Sequence, residues 1–213
     1  MAGTLNAKKA LIFRITHRDN IPWILKNGLH ASSSHVLDPN FRVIGNVDLI
    51  NKRANRRVMI GPGGTLSDYV PFYFTPFSIM MYNIHTGYGV PNVPNNEIVI
   101  LVSSLHRIQE LGIQFVFTNQ HAYPRFAGYF TDLDDLAQVP WEQLNRKDFR
   151  HDPDDPGKKE RYQAEALIWR HVPAEALLGI CSCIDSVNQG IQAEIEKQRL
   201  KIEARVQRGW YFS

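Results

Sequence analysis

Gln163-Ala164-Glu165 offers the most direct chemistry in the chain: a carboxylate at the mouth of a strand, reached from a charged, Pro/Gly-rich loop. Ala164, Ala166, Ile168 and Arg170 alternate with Glu165, Leu167, Trp169 and His171. That period of two predicts a β-strand with Gln163 and Glu165 pointing to one side. A carboxylate held by a sheet beside a mobile loop is well placed to touch a substrate. The same pattern also fits a surface glutamate at a strand entrance.

A second candidate is cationic. Between positions 42 and 57, Arg42, Lys52, Arg53, Arg56 and Arg57 stand against Asp48 alone. A helix over Asp48 to Val58 would place Lys52, Arg53, Arg56 and Arg57 on one basic face. It lies between Gly45-Asn46 and Gly61-Pro62-Gly63-Gly64, on an excursion of the kind that often carries function. Such a face can hold a pyrophosphate or a nucleic-acid backbone, or be merely solvated. Further on, His121, Tyr123, Arg125, Phe126, Tyr129 and Phe130 interleave aromatics with a base. Stacking plus charge suits unpaired bases; a packed hydrophobic loop explains the same residues equally well. Arg14, Thr16 and His17 end a short apolar run, where a strand end can clasp a ligand. Taken alone, Thr16 three residues before Asp19 reads as a helix cap.

The elements that must position these groups read in order. Ala10 to Ile15 is a strand, followed by a helix through Ile21, Trp23, Ile24 and Leu25 that Gly28 stops. His30 to Asn46 is a long loop. Val70 to Thr75 is a strand, and Pro76-Phe77-Ser78 opens a short helix over Ile79 to Asn83. Glu97 to Ser103 is a strand running into a short helix, and Gln114 to Thr118 is another strand. Trp141 to Gln163 reads as loop. Leu177 to Ile184 is a strand containing both cysteines. Ser186 with Gln189 predicts a helix to about Gln207, with Ile191, Ile195, Ile202 and Val206 as its apolar stripe. Trp210-Tyr211-Phe212 is a last short strand. Repeats and linkers are absent from the sequence, so one domain over 1–213 is expected.

Composition excludes several classes. The 213 residues are 44% hydrophobic and 21% charged, ordinary for a globular protein, and no apolar run is long enough to span a membrane. Met1 to Lys9 lacks the layout of a secretory signal, and Cys181 and Cys183 are too close to staple a fold. Together these point to a reducing cytoplasm. Zinc-like ligand spacing is missing, so no metal site is expected. The net charge of +3 is polarised: Asp132 to Asp155 carries eight acids against three bases.

Several blocks resemble one family. Arg14-Ile15-Thr16-His17-Arg18-Asp19-Asn20-Ile21-Pro22 is similar to the opening motif of the DarT family of bacterial DNA ADP-ribosyltransferase toxins, which usually carries histidine where Arg14 stands. Asp68 to Phe74, Gln163-Ala164-Glu165 with His171-Val172-Pro173, and Trp210-Tyr211-Phe212 also resemble the family, in order and over nearly the whole chain. The resemblance implies an α+β ADP-ribosyltransferase fold: a split mixed or antiparallel sheet with flanking helices. It implies NAD as co-substrate, transfer of ADP-ribose to a base in single-stranded DNA (thymidine in the larger branch, guanosine in another), and a macrodomain antitoxin that reverses it. The family's catalytic glutamate falls on Glu165, and its important arginine is expected at Arg56, with Arg53 and Arg57 as rivals. Arg14, Thr16, His17, Gly45, Asn46, Arg53, Tyr73 and Ser78 are expected at the cofactor; Tyr73-Phe74 and Ser78 also look like the nicotinamide pocket of poly(ADP-ribose) polymerases. Arg57, His121, Tyr123, Arg125, Arg146, Lys147 and Arg150 are expected at DNA. Rival readings are a non-catalytic single-strand-binding module and an ADP-ribosyltransferase acting on RNA or protein.

Overall fold

The computed structural model describes residues 4–213. In chain order its elements are β1 (Leu11–His17), α1 (Ile21–Asn27), β2 (Leu29–His30), α2 (Val47–Arg53), β3 (Tyr69–Tyr73) and α3 (Ile79–Thr86). Then come β4 (Ile98–Ser104), α4 (Leu105–Glu110), β5 (Phe115–Thr118), β6 (Tyr129–Phe130), α5 (Trp141–Arg146) and α6 (Lys158–Arg161). The chain closes with β7 (Glu165–Trp169), β8 (His171–Val172), β9 (Gly179–Ser182), α7 (Asp185–Lys197) and β10 (Glu203–Val206). None of the described helices is long and apolar enough to cross a membrane.

One eight-stranded sheet has the order β10-β9-β4-β1-β3-β7-β5-β6, antiparallel except for the parallel β9–β10 pair. Its two halves barely join. β1 runs against β4 from Leu11↔Ser104 to His17↔Ile98, but meets β3 only at Phe13↔Tyr73. Pro71 explains the split: lacking an N–H, it cannot continue a ladder toward β1. Its carbonyl accepts instead from the Arg14 guanidinium at 2.8 Å. A crevice therefore opens between β1 and β3, as expected for the split α+β sheet.

Both faces of the central strands are buried, and period-two alternation sorts their side chains. Ile98, Ile100 and Val102 of β4 pack with Phe13, Met81 and Ile84. Val99 and Leu101 face the other way, toward α1 and α7 through Ile24, Leu25, Ile191 and Ile195. A third cluster of Val58, Leu66, Tyr69, Val116 and Leu167 lies under the basic excursion. Gly28 ends α1 at φ +78°, and a Cβ there would lie 2.5 Å from Val172 O, so β8 leaves room for glycine alone.

Several local expectations need correction. Thr16 caps nothing; His17 Nδ1 accepts from Asp19 N–H (3.1 Å) and caps the single 3₁₀ turn before α1. The predicted basic helix is shorter: α2 stops at Arg53, and Arg56 and Arg57 lie beyond it in a turn that bridges to Thr65. They do not share a face with Arg53. Within the expected loop Trp141–Gln163 the chain forms α5 and α6. The last helix ends at Lys197 rather than near Gln207, where Arg199 takes φ +55° and turns the chain back. Residues 203–206 then add to the sheet edge beside β9. Trp210 closes a 3₁₀ turn rather than a strand, and the buried Tyr211 hydroxyl donates to Ile98 O (3.2 Å) and Cys181 O (2.9 Å).

Candidate active site

Glu165 opens β7 opposite Tyr73 of β3, on the floor of the crevice, and is 1% exposed. Gln163 does not join it: Gln163 N–H donates to Glu160 O (3.1 Å), so the chain is still turning there and only Glu165 is placed by the sheet. The Glu165 backbone N–H donates to Thr118 Oγ1 (3.1 Å). The carboxylate is gripped by Arg53, whose Nη1 and Nη2 donate to Oε1 and Oε2 at 3.0 and 2.7 Å, and by the Ala122 N–H on Oε1 (3.0 Å). Parallel N–H···O bonds of this kind fix both groups in one plane.

Burial alone would raise the Glu165 pKa, but the Arg53 charge and hydrogen bonds, with His121 and the Ala122 N–H, outweigh it and hold it below the ordinary glutamate value. Burial pulls Arg53 down, and Glu165 more than restores it, so its pKa lies above the usual arginine range. Arg53 also sits in the last turn of α2, where the helix dipole favours a cation. Asn46 caps the other end, its Oδ1 accepting from Leu49 N–H at 2.8 Å. Beside the pair, the Tyr73 phenol is pushed up to about 12 by burial and by Glu165, so it stays a neutral donor.

The crevice widens into a cleft of about 530 Å³. Among its walls are Arg14, Thr16, Gly45, Asn46, Arg53, Tyr73 and Glu165. Trp23, Leu29, His30 and Phe41 give the cleft an apolar and aromatic portion. Three arginines (Arg14, Arg42, Arg53) face two carboxylates (Asp38, Glu165), leaving the lining net positive. Arg14 is its least satisfied cation: Nη1 reaches Pro71 O, while the buried Nε has no partner. Burial, offset in part by Tyr73 and reinforced by Arg53, lowers its pKa to about 10, which leaves it charged at neutral pH. A charged guanidinium in the lining of a net-positive cleft fits an anionic dinucleotide.

The loop over positions 31–46 forms one rim and is pinned at several points. Ser33 Oγ donates to Asp68 Oδ1 (2.8 Å). Asn20, fully buried, donates to Arg42 O (2.9 Å) and accepts from Arg42 N–H (2.8 Å), pairing with that peptide as a strand would. Its Nδ2 also donates to Thr16 Oγ1 (2.9 Å). The sequence assigned Asn20 no role, although it lies inside the opening motif. Asn20→Ala is expected to orphan the Arg42 peptide, lowering stability by about 1–3 kcal/mol and weakening dinucleotide binding. Thermal melts and calorimetric titration check this.

The remaining expected residues divide. His17 is buried with Nε2 3.2 Å from Glu97 Oε2, and Ser78 is buried as the cap of α3; neither is among the residues lining the cleft. Arg56 Nη2 donates to Pro124 O (3.2 Å), bracing the loop over 119–128 rather than touching Glu165. His121 stands beside the pair, its Nε2 3.7 Å from Glu165 Oε1. Arg57, Tyr123 and Arg125 are exposed near this end. Arg146 and Arg150 are exposed but ion-paired with Glu142 and Asp148, and the Lys147 ammonium sits 3.9 Å over the Phe77 ring. The Ala122 N–H and Thr118 hydroxyl, both on the carboxylate side of the site, carry no sequence signal at all. Among the described residues no cluster of three or more His, Cys, Asp or Glu could hold a metal.

Comparisons with known proteins point to one family. The family model described as "ssDNA thymidine ADP-ribosyltransferase, DarT" matches residues 13–212. A DNA ADP-ribosyl transferase of Escherichia coli O127:H6 is 52% identical over 213 residues, covering 100% of this chain and 98% of that protein. The structure of Thermus sp. 2.9 DarT in complex with ADP-ribosylated ssDNA superposes with a TM-score of 0.89 at 29% identity, covering 100% of both chains. The same Thermus protein in complex with NAD+ gives 0.82 at 29% identity, covering 96% of this chain and 98% of that one.

Proposed function

The chain belongs to the DarT family of NAD-dependent DNA ADP-ribosyltransferases, and we propose that it is the toxin of a toxin–antitoxin pair that modifies thymidine in single-stranded DNA. The observation that carries the catalytic reading is the bidentate Arg53–Glu165 pair on the floor of the crevice, beside Tyr73. NAD supplies an ADP-ribose whose anomeric carbon gains positive charge as nicotinamide leaves. Glu165 is the fixed carboxylate that stabilises that charge, and then the base that takes the proton from the nucleobase nitrogen. Arg53 holds Glu165 ionised and oriented, and stabilises negative charge on the target base; it takes the position that Arg56 was expected to fill. Arg14, in the cleft wall, is assigned to the diphosphate side, and the apolar lining at Trp23 and His30 to the adenine.

A single-stranded substrate presents its base without the cost of extruding it from a duplex. The loop over 119–128 reaches Glu165 through Ala122 and carries Tyr123 and Arg125 at its surface, where unpaired bases can stack. Arg57, Arg146 and Arg150 are assigned to phosphates, the last two after release from their acidic partners. A macrodomain antitoxin that removes ADP-ribose, and a cytoplasmic location, follow from the family reading.

The test is mass spectrometry of single-stranded oligonucleotides of defined base content incubated with NAD and the protein, beside Glu165→Ala. A gain of one ADP-ribose on thymidine-containing strands alone, absent in the variant, is the expected result. An adduct on guanosine would replace the assigned base, and an adduct only on added RNA or protein would overturn the DNA reading. For the toxin assignment, expression should arrest growth and a macrodomain partner should relieve it; harmless expression of the active chain would sink that part.

A further inference from the structure

A carboxylate that takes a proton from each successive substrate must also lose it, and Glu165 is enclosed by Arg53, the Ala122 N–H and the sheet. His121 connects this buried acid to an outer one. Its Nε2 lies 3.7 Å from Glu165 Oε1, and its Nδ1 lies 3.7 Å from Glu160 Oε2, whose side chain is 43% exposed. The imidazole is held there by its own backbone. His121 N–H donates to Glu160 O (2.9 Å) and the next N–H, of Ala122, donates to Glu165 Oε1 (3.0 Å). Consecutive peptide bonds to the two acids leave the ring between them.

We propose that His121 is the proton exit of the active site, passing to Glu160 and solvent the proton that Glu165 takes from the target base. This rests on the assignment of Glu165 as that base. The N–H bond of the nucleobase breaks, its electron pair forms the bond to the ribose carbon, and the proton goes to a Glu165 oxygen. The O–H bond then breaks as His121 Nε2 accepts that proton. The imidazolium gives up its Nδ1 proton to Glu160, and exchange with water restores the starting tautomer. One proton leaves per transfer, and no other reagent is needed. Separations of 3.7 Å are longer than hydrogen bonds, as is common before substrate closes a site.

The groups facing His121 are Glu165 from β7, Glu160 from α6, Arg53 from α2 (Nη1 at 3.5 Å) and the Tyr123 ring, 6.5 Å away between centroids. Burial, with Arg53, lowers the His121 pKa below its ordinary 6.5 against the pull of Glu165 and Glu160, so the ring is neutral and able to accept near pH 7. Acceptance is lost as pH falls through that lowered value, which gives turnover an acid limb belonging to His121.

Burst kinetics with NAD and a single-stranded oligonucleotide test the relay in the intact chain. In the first turnover Glu165 starts ionised and can take the proton itself; every later one requires the exit. His121→Ala should therefore slow later turnovers about 10²-fold more than it slows the first, the lower end of what a positioned proton carrier contributes. The slow phase should rise with pH, as hydroxide replaces the relay, lack the His121 acid limb, and recover with added imidazole. Glu160→Gln, at a partly exposed position, should slow later turnovers with the burst retained, and serves if the histidine variant fails to fold. Equal loss in first and later turnovers with an unchanged pH profile would reduce His121 to a packing residue and overturn the proposal. Wild-type turnover in both variants would overturn it too. Glu165→Gln run alongside separates the premises: if it still forms adducts, the assignment of Glu165 fails before the relay is reached.

Discussion

Glu165→Gln is expected to lower DNA ADP-ribosylation by at least about 10³-fold, because on the proposed mechanism one change removes both the charge that stabilises the transition state and the base that follows it. Glutamine keeps the shape and still accepts from Ala122 N–H, so the loss belongs to charge rather than to packing. Stability should fall as well. Arg53 is left as a buried cation without its counter-charge, a situation that costs about 3–5 kcal/mol. For a chain of this size that is a Tm lower by roughly 6–20 °C. NAD binding should survive, since removing a negative charge from a net-positive cleft does not repel a dinucleotide diphosphate. Adduct yield by mass spectrometry, a thermal melt and calorimetric titration separate the three effects. A variant that retains most of its transferase activity would refute the Glu165 mechanism.

Arg53→Ala should be nearly as damaging, and Arg56→Ala much less, although the two lie on the same excursion. Removing Arg53 leaves Glu165 buried with little to balance it, so burial takes over and its pKa rises. In the wild type the Glu165 pKa is depressed below its unfolded value of 4.5. The carboxylate therefore contributes stability at pH above 4.5, and loses it as pH falls through the folded value. In Arg53→Ala the sign reverses: burial disfavours the charged form, and the Glu165 acid limb, read in the first turnover, moves up from below 4.5 toward neutrality. The expected loss at neutral pH is about 10²-fold or more. Arg56→Ala removes one hydrogen bond to Pro124 O and should act through the loop it braces, raising the KM for DNA more than it lowers kcat. A pH–rate profile of the three proteins checks the shift. An Arg56 variant deader than the Arg53 variant would return the arginine's role to Arg56.

Lys147 shows how a local charge reads differently in place. Its basic neighbours suggested a phosphate contact, yet the ammonium lies over Phe77, which joins Tyr82, Phe149 and Phe212 through a chain of edge-on ring contacts. The run of charge around it is a network of its own, with Lys158 Nζ 2.8 Å from Asp148 Oδ2 and Arg150 Nε 2.9 Å from Asp148 Oδ1. These pairs are sequence neighbours folded onto each other, and they leave fewer free cations for DNA than the bare sequence suggests.

By itself the sequence determined the central strands β1, β3, β4, β5 and β7, because their apolar runs have no other stable place than a buried sheet. It determined Glu165 as the candidate carboxylate, Gly28 as the stop of the first helix, and the order of family blocks from which an NAD-dependent DNA ADP-ribosyltransferase was expected. Tertiary structure alone decided which arginine meets that carboxylate. Arg53, Arg56 and Arg57 have the same chemistry, and α2 ends at Arg53, so a single turn of chain sends Arg53 to Glu165, puts Arg56 on the Pro124 carbonyl and leaves Arg57 exposed. It also decided that Asn20 holds the cleft rim and that the Ala122 N–H and His121 reach Glu165. Those contacts join positions 22 and 43 to 44 residues apart, and no local pattern encodes a pairing over such a distance. The helix that ended early followed the same logic: Ile202 fits a helical stripe by spacing, but the open sheet edge beside β9 offered its backbone a full set of partners.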